Sequence, residues 1–314
     1  MKTNRFIQWT QITLGLVFFL ILVGGVVRST GSGLGCPDWP KCFGMWIPPT
    51  DISELPTDYK TRFMVAGKEI ADFDVFKTWT EYLNRLLGAV IGMAIIGVLF
   101  CSYAYKGRRS GLILGSWLSL ALVVFQGWVG AVVVKTHLAS YMITIHMLLA
   151  LLLVALILVL LRQAQALEAK TVLSLKDFLS KSESFQALGL VLLFLSLVQI
   201  ILGTQVREAI DHVIKSDPAI ARELWVEKSG WMFLIHRSFS LVILFAHFML
   251  WKNLTLKGFI KIRNQITISF AVTLLSGIGL AYWNFPAWLQ PIHLLAALIL
   301  CTQYFDLRIN RYLA

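Results

Sequence analysis

Hydrophobic residues are concentrated in eight long runs, which short polar segments separate from one another. The runs are Phe6–Val27, Trp79–Ser102, Leu112–Val134, Ala139–Leu161, Gln186–Val206, Trp231–Trp251, Ile266–Trp283 and Trp288–Phe305. An apolar stretch of about 20 residues is long enough to cross a bilayer as a helix. The runs do not alternate between polar and apolar positions, as the strands of a membrane barrel do. The pattern therefore predicts an all-α integral membrane protein with eight transmembrane helices.

The charged residues between the runs indicate how the helices are oriented. If the N-terminus is inside, the inner segments carry Lys and Arg in large excess, whereas the outer segments are nearly neutral. Basic loops favour the cytoplasmic side, so we expect both termini to be cytoplasmic. The net charge of +11 then reflects membrane orientation. It does not indicate a nucleic-acid partner, because the basic residues are spread over several short segments. We predict a multi-pass protein in contact with lipid, in a bacterial inner membrane or an equivalent organelle membrane.

The chain contains an internal repeat. Four pairs of matching elements occur in the same order, with separations of 179, 152, 150 and 147 residues: Arg28 with Arg207, Asn84-Arg85 with His236-Arg237, Gln126-Gly127 with Ser276-Gly277, and His146 with His293. A nearly constant separation indicates that one structural unit occurs twice. We predict two tandem pseudo-symmetric four-helix bundles, at residues 1–161 and 186–314, joined by a cytoplasmic linker at 162–185.

The first outer loop, Ser29–Thr78, is long enough to need an explanation. Its Gly-rich start and its Pro48-Pro49 pair favour an ordered cap over the helices, although an unstructured loop is an alternative. Cys36 and Cys42 lie in this loop. If the loop faces the outer side, its compartment is oxidising, and we expect the two cysteines to form a disulfide.

The second run begins with the sequence WTEYLNRLLG, which carries Glu81, Asn84 and Arg85. Ionisable groups in a membrane helix cost about 2.5–3.5 kcal/mol each on insertion scales, so they mark a candidate functional site. The sixth run begins with the related WMFLIHRSFS, which has His236 in place of Asn84 and Phe233 in place of Glu81. One unit thus has a carboxyl group where the other has an inert ring.

Glu81 and Asn84 are three residues apart and share a helix face, so we expect Glu81 to face the same pocket as Asn84. A carboxylate there could titrate, hold a water molecule or stabilise a positive intermediate. A structural ion pair between Glu81 and Arg85 is the alternative.

Histidines recur at one depth in the two units. His236 and His293 each lie five residues inside their runs, and His146 lies about seven inside its own. At a rise of 1.5 Å per residue, these side chains lie roughly 8–10 Å below the outer surface. Two imidazoles at one depth on facing helices can bind a haem iron from both sides. The alternative, a packed and hydrogen-bonded histidine, suits a single residue better than a repeated pair. His247, nearer the inner end, is expected to be structural.

Four arginines lie near these side chains and suit the propionates of a haem, because a guanidinium binds a carboxylate through two hydrogen bonds. They are Arg28, Arg85, Arg207 and Arg237. The residues alone thus predict a permanent bis-histidine haem in the second unit and chemistry at Glu81 in the first.

The sequence as a whole resembles the haem A synthase family, which oxidises haem O to haem A for cytochrome oxidase. The resemblance rests on GGVVRSTGSGLGC with the paired cysteines, on the Glu81–Arg85 element, and on the three histidines, and it covers nearly the whole chain. It implies that His236 and His293 bind haem b, which relays electrons. It also implies that the first unit takes the haem substrate and needs Glu81 for activity. The implied reaction converts the C8 methyl to a formyl by successive hydroxylations, with oxygen from water.

One departure from the family pattern concerns Asn84, which stands where better-known members have a histidine. His146 is then the one obvious ligand for the substrate iron. Either this iron is five-coordinate, or Asn84 acts through a water molecule, or His137 reaches in from its outer loop; a loss of activity is a further alternative. His212 also lies in an outer loop and is expected to be exposed. The second outer loop, Arg207–Gly230, lacks the cysteine pair that some members carry.

Other functions fit parts of the sequence. A dihaem cytochrome b passing electrons from quinol predicts two bis-histidine sites, and a transporter with parallel repeats predicts a site near the midplane. The expected partners of a haem A synthase are the haem O synthase and the assembly of cytochrome oxidase, and a homo-oligomer is compatible with the sequence. The sequence does not identify the electron donor.

Overall fold

A computed structural model describes residues 2–107, 110–169 and 184–309 of the chain. It contains eight long helices: α1 (Lys2–Ser29), α2 (Val75–Ser102), α3 (Ser110–Lys135), α4 (Ser140–Glu168), α5 (Ser184–Ser216), α6 (Trp231–Leu256), α7 (Ile260–Tyr282) and α8 (Leu289–Ile309). Each is long and apolar enough to cross a membrane. Within the described residues the only β pairings are isolated bridges in the first outer loop. The predicted all-α fold with eight membrane-spanning helices is therefore confirmed. The cytoplasmic placement of the termini stays a prediction.

Two helices extend further than the others beyond the C-terminal ends of the apolar runs that predicted them. α4 continues to Glu168, into the predicted linker, and α5 continues to Ser216, into the predicted second outer loop. The apolar run marks only the part of a helix that suits lipid, and an amphipathic continuation keeps its backbone hydrogen bonds. In α5, Ile210 is fully buried in this continuation and packs with Phe285. The remainder of the predicted linker, 170–183, lies outside the described residues.

Contacts between residues divide the chain into two compact units, Met1–Ala164 and Gln165–Ala314. Each unit has its own apolar core. The core of the first is Val17, Ile91, Ile95, Leu153, Val154 and Ile157. The larger core of the second includes Leu192, Ile243, Leu250, Phe270, Leu300 and Tyr304. Several of these residues are related by the repeat separations found in the sequence. Ile91 corresponds to Ile243, for example, and Leu153 to Leu300.

The first outer loop is ordered. It therefore agrees with the predicted cap and not with the alternative of an unstructured loop. It contains two short helical segments, Ile52–Glu54 and Tyr59–Arg62. It also has a small core of its own, formed by Cys36, Cys42, Phe43, Leu55 and Tyr59. The loop is attached to α2 by the Trp79 indole, which donates to the Pro49 carbonyl over 3.2 Å. Gly35 lies so close to α2 that a Cβ atom there would be 2.4 Å from the Lys77 carbonyl oxygen. Only glycine allows this approach.

Candidate functional site

The outer end of α2 brings together the polar residues of the WTEYLNRLLG segment and the cap. The helix begins after Asp74, whose carboxylate accepts a hydrogen bond from the Lys77 amide at the N-terminus. Two turns further on, the side chain of Glu81 is 3% exposed. Its Oε2 accepts the backbone N–H of Cys36 over 2.9 Å, and its Oε1 accepts the Nε of Arg85 over 3.1 Å. The buried carboxylate is thus held from both sides.

All five N–H groups of Arg85 are used within this arrangement. Nε and one N–H of Nη2 donate to the carboxylate of Glu81. Nη1 donates to the carbonyls of Asp38 and Lys41 over 2.6 and 3.1 Å, and Nη2 also donates to the Cys36 carbonyl over 2.7 Å. A guanidinium has five donors in a rigid planar fork. Arg85 therefore joins the buried carboxylate to three carbonyls of the cap.

The cap segment that Arg85 binds is closed by the predicted disulfide. Cys36 and Cys42 are bonded to each other, and both are fully buried. The disulfide prediction is confirmed. The ion pair between Glu81 and Arg85, which the sequence left as a structural alternative, is present. The structure thus gives Arg85 partners other than the haem propionates that the sequence predicted for it.

Asn84 and His146 lie against glycines of neighbouring helices in the first unit. Asn84 Oδ1 is 3.8 Å from the position that a Cβ atom on Gly24 of α1 would occupy. The His146 ring of α4 similarly lies 3.4 Å from the corresponding position on Gly130 of α3. Asn84 Oδ1 and His146 Nδ1 are both buried without a hydrogen-bond partner in the described part of the chain. Two polar atoms in this unit are therefore positioned but unsatisfied.

The second unit repeats the two glycine contacts with histidine on both sides. The His236 ring of α6 lies 3.3 Å from the Cβ position of Gly203 on α5, and the His293 ring of α8 lies 3.0 Å from that of Gly277 on α7. His236 and His293 also lie close enough to interact electrostatically. The absence of a side chain at each glycine leaves room for an imidazole.

His293 is oriented by hydrogen bonds that sequence reasoning did not find. Its Nδ1 lies 2.9 Å from the Thr273 carbonyl and 3.0 Å from the Ser276 hydroxyl, both on α7. A carbonyl can only accept, so Nδ1 carries the proton and Nε2 keeps its lone pair for a metal. Metal-binding histidines usually have this second hydrogen bond.

A second contact between α6 and α8 supports the facing arrangement of His236 and His293. His247 lies 11 residues after His236, and Tyr304 lies 11 residues after His293, which is about three turns on each helix. His247 Nδ1 and Tyr304 Oη are 2.9 Å apart. The same faces of α6 and α8 therefore meet. His247 is 5% exposed and stacks on Phe270.

Gln126 and Gln199 also hold the histidine helices. Gln126 Nε2 donates to the His146 carbonyl over 2.7 Å, and Gln199 Nε2 donates to the His236 carbonyl over 2.9 Å. Gln199 Nε2 is also 3.4 Å from His236 Nε2. The repeat had matched Gln126-Gly127 with Ser276-Gly277, and these pairs lie near the histidines. The glycine of the first pair must be changed. Gly130, not Gly127, contacts His146 as Gly277 contacts His293, and its separation from Gly277 is 147 residues, like that of the histidines.

The other predicted arginines have different surroundings. Arg207 Nη1 binds Gln290 over 3.2 Å, and its Nη2 pairs with Asp211 at 3.1 Å. The Arg207 guanidinium also lies 5.5 Å from the ring centroid of Phe285. Arg28 is half-buried in the last turn of α1. Arg237 is exposed and lies over the Phe233 ring at 5.7 Å. Phe233 and Arg237 thus repeat the Glu81–Arg85 contact without a carboxylate.

The two remaining histidines lie outside these contacts. His137 lies in the turn between α3 and α4 with φ of 55°. His212 lies on α5, because the helix extends past the predicted loop boundary, and its side chain is exposed as expected. Among the described residues, no group of three or more His, Cys, Asp or Glu side chains forms a metal site.

The residues of the second unit fit a haem with two histidine ligands. A porphyrin supplies four nitrogen ligands, so the protein needs to add only axial ones. His293 has its Nδ1 proton held and its Nε2 available, and His236 lies on the facing helix. In the first unit, His146 offers an imidazole at the position that matches His293 in the repeat, and Asn84 stands where the second unit has His236.

Comparisons with known proteins identify the family of the chain. A family model described as cytochrome oxidase assembly protein (COX15-CtaA) matches residues 7–305. Proteins named heme A synthase are similar to the chain. The one from Rhodopseudomonas palustris (strain BisB18) is 30% identical over 264 residues, which are 77% of this chain and 69% of that protein. That from Bradyrhizobium sp. (strain BTAi1) is 31% identical over 277 residues, 80% of this chain and 71% of that protein.

A third relative of the same name, from Bradyrhizobium sp. (strain ORS 278), is 35% identical over 159 residues. The match covers 46% of this chain and 43% of that protein. The chain therefore spans less than half of this relative and about seven tenths of the other two.

Proposed function

The chain belongs to this family of cytochrome oxidase assembly proteins, as its resemblance to the haem A synthases predicted, and we propose that it is an oxidoreductase that converts haem O to haem A. The substrate occupies the first unit, and its C8 methyl is oxidised to a formyl. Haem b occupies the second unit. The observation that carries the proposal is the difference between two otherwise equivalent sites. His236 and His293 lie close together in one, whereas the matching sequence positions of the other carry Asn84 and His146, with the buried Glu81 one turn before Asn84.

Glu81 is the residue that acts on the substrate methyl. Each hydroxylation replaces a C–H bond by a C–O bond and releases two electrons and two protons, and loss of water from the second product gives the formyl. Oxygen comes from water, so the methyl carbon becomes electron-poor before it is attacked. A buried carboxylate stabilises that positive charge and accepts the proton of the attacking water.

Arg85 and the disulfide-closed cap position this carboxylate. Glu81 Oε1 is bound by Arg85 and Oε2 by the Cys36 amide, so the carboxyl group cannot rotate without breaking contacts to the cap. The cap also covers the outer end of α2. It thereby excludes bulk water from the carboxylate, which strengthens its interaction with a developing charge.

His146 would bind the substrate iron. The substrate must enter and leave, and a ring whose Nδ1 has no partner in the described chain suits a transient ligand. His236 Nδ1 likewise has no partner there, so His293 is the histidine that distinguishes the second unit. The anchored His293 suits the role of a permanent ligand. Haem b, when bound by His236 and His293, would supply a one-electron relay that passes the electrons removed from the methyl to a one-electron acceptor outside the chain. Arg207, Arg237 and Arg28 remain the candidates for propionate binding.

We place the protein in a bacterial inner membrane, with both haem sites toward the periplasmic side. The reaction then follows the enzyme that makes haem O and precedes the assembly of cytochrome oxidase. A haem O synthase and oxidase assembly factors are therefore the expected partners.

One experiment tests the proposal directly. The chain is produced in cells that make haem O but lack haem A, the membranes are solubilised, and the haems of the purified protein are extracted and identified by mass. We expect haem b together with haem O and haem A. Two molecules of haem b per chain would favour the alternative of a dihaem electron-transfer protein. Absence of every haem would refute both.

A further inference from the structure

Four buried positions in the core of the second unit carry polar or thiol side chains, whereas the equivalent positions of the first unit are aliphatic. The four are Ser196, His247, Cys301 and Tyr304. The repeat separations of 179, 152 and 147 residues relate them to Val17, Ile95, Val154 and Ile157. We call these four residues the inner polar cluster. They lie on three helices of the second unit, α5, α6 and α8, so the difference between the units involves more than one substitution.

The inner polar cluster is connected by direct contacts. His247 Nδ1 lies 2.9 Å from Tyr304 Oη, and the His247 ring stacks on Phe270 with 4.1 Å between ring centroids. Cys301 lies close enough to Tyr304 to affect it electrostatically. The Ser196 hydroxyl lies beside the Cys301 thiol. The cluster thus links α5, α6, α7 and α8.

Packing alone does not account for His247. Its Nε2 is buried and has no hydrogen-bond partner among the residues that the structure describes. A buried nitrogen without a partner destabilises a fold compared with an aliphatic side chain of similar size. Ile95 occupies the equivalent position in the first unit, where it is 1% exposed. The fold therefore tolerates an apolar residue at this position, and the second unit retains a polar one.

The cluster lies on the same helix faces as the proposed iron ligands. His247 follows His236 by three turns on α6, and Tyr304 follows His293 by three turns on α8. Three turns span about 16 Å. The polar pair thus accompanies the unit proposed to hold the permanent haem and is replaced by Ile95 and Ile157 in the unit proposed to hold the substrate.

We propose that His247 and Tyr304 form a buried proton-accepting pair whose protonation is coupled to reduction of the iron bound by His236 and His293. This inference rests on the proposed haem b site. One electron, from the substrate methyl during turnover or from a chemical reductant in a titration, would reduce the ferric iron and add a negative charge to the unit. With Nδ1–H donating to Tyr304 Oη, Nε2 of His247 has a lone pair that accepts one proton. The proton leaves again when the iron is reoxidised, so charge is balanced in both directions.

Among the side chains of the cluster, the imidazole of His247 is the one whose ordinary titration range lies near neutral pH. The titratable neighbours from α8 are Tyr304 and Cys301, which are ordinarily protonated at neutral pH. The contribution of α7 is the apolar ring of Phe270, and that of α5 is the hydroxyl of Ser196. Histidine ordinarily changes charge between about pH 5 and 8.

The test is a redox titration of the purified full chain, followed by the absorption bands of its bis-histidine haem at several pH values. The wild-type midpoint potential is expected to fall as pH rises, by at most ~59 mV per pH unit, the one-electron equivalent of a tenfold change. His247→Gln keeps a polar side chain that can bind Tyr304 but cannot titrate. It should retain the absorption bands and lose most of the slope. His212→Gln makes the same exchange at an exposed position and should behave as wild type.

Each outcome decides the inference. A wild-type potential independent of pH overturns it, as does a His247→Gln slope equal to that of wild type, which would assign the proton to other groups such as the haem carboxylates. If His247→Gln does not retain haem, Tyr304→Phe replaces it. Loss of the hydrogen bond should then move the pH range over which the potential changes, and an unchanged profile overturns the coupling. A wild-type protein without bis-histidine haem refutes the proposed function instead, and the two failures are thereby distinguished.

Discussion

Both units have histidines packed against glycines, but the units differ in which key side chains are held by hydrogen bonds. In the second unit, the His293 ring is held by α7 through Thr273, and Phe233 packs under an exposed Arg237. In the first, His146 Nδ1 has no partner in the described chain, whereas Arg85 uses every donor on Glu81 and the cap. The side chain held by hydrogen bonds is thus the candidate ligand His293 in the second unit and the carboxylate of Glu81 in the first. This difference suits a bound cofactor on one side and a reacting substrate on the other.

The largest expected effect comes from removing the carboxylate that distinguishes the units. Glu81→Gln keeps the size of the side chain but neither stabilises a positive charge nor accepts a proton. We expect haem A formation to fall by about 10²–10⁴-fold, the usual contribution of a positioned acid or base. Haem b should remain. The measurement is haem A per protein in membranes, with Glu69→Gln, an exposed cap residue, as the control. Wild-type haem A levels in Glu81→Gln would remove Glu81 from the mechanism.

The second effect compares the equivalent arginines. Arg85→Met leaves the buried Glu81 carboxylate without its cation, and breaking a buried pair in this way costs about 3–5 kcal/mol. Arg237→Met removes an exposed side chain and should change the free energy of unfolding by at most about 0.5 kcal/mol. Thermal unfolding in detergent measures both, together with protease sensitivity of the cap. Equal destabilisation by the two variants would contradict the different roles that the contacts give them.

An exchange of ligands tests the coordination of each unit. His236→Asn gives the second unit the first unit's residue, and Asn84→His does the reverse. We expect His236→Asn to convert haem b from low to high spin. Haem affinity should fall by more than the ~10–100-fold that loss of an outer-shell partner costs. Asn84→His should add a low-spin signal with haem O bound. Electron paramagnetic resonance measures the spin states. An unchanged spectrum in His236→Asn would mean that another residue binds the iron.

The smallest expected effect concerns the glycines beside the histidines. Gly277→Ala places a Cβ atom 3.0 Å from His293, Gly130→Ala places one 3.4 Å from His146, and Gly127→Ala meets nothing within 4 Å. Helix propensity favours alanine by about 1 kcal/mol at all three positions. We expect haem occupancy to fall about tenfold in Gly277→Ala, less in Gly130→Ala, and not at all in Gly127→Ala. Because helix propensity is the same in all three variants, such a gradation would reflect displacement of the imidazoles. Haem-to-protein ratios measure it, and equal occupancy in all three variants would argue against these contacts.

The sequence predicted much of this architecture because membrane insertion leaves a strong pattern. Eight apolar runs gave eight helices, and the cysteines in the outer loop gave the disulfide. Helix ends were less certain, as α4 and α5 show, because a helix can continue past lipid without a change in backbone hydrogen bonding. The repeat matched Asn84 with His236 and His146 with His293, but it paired Gly127 with Gly277, one turn away from Gly130, the residue that contacts His146.

The sequence by itself determined which chemical groups the two units possess: two histidines in one, and one histidine, an amide and a carboxylate in the other. Only the tertiary structure decided what those groups contact. The Cys36 amide that binds Glu81 lies 45 residues away in the cap, and the partners of His293 lie on the preceding helix. Periodicity reports which face a side chain occupies but carries no information about a carbonyl or amide brought to it by a distant segment. Arg85 binds carbonyls of the cap, and His293 binds the carbonyl of Thr273. Every residue type has a backbone carbonyl, so the sequence could not identify these partners.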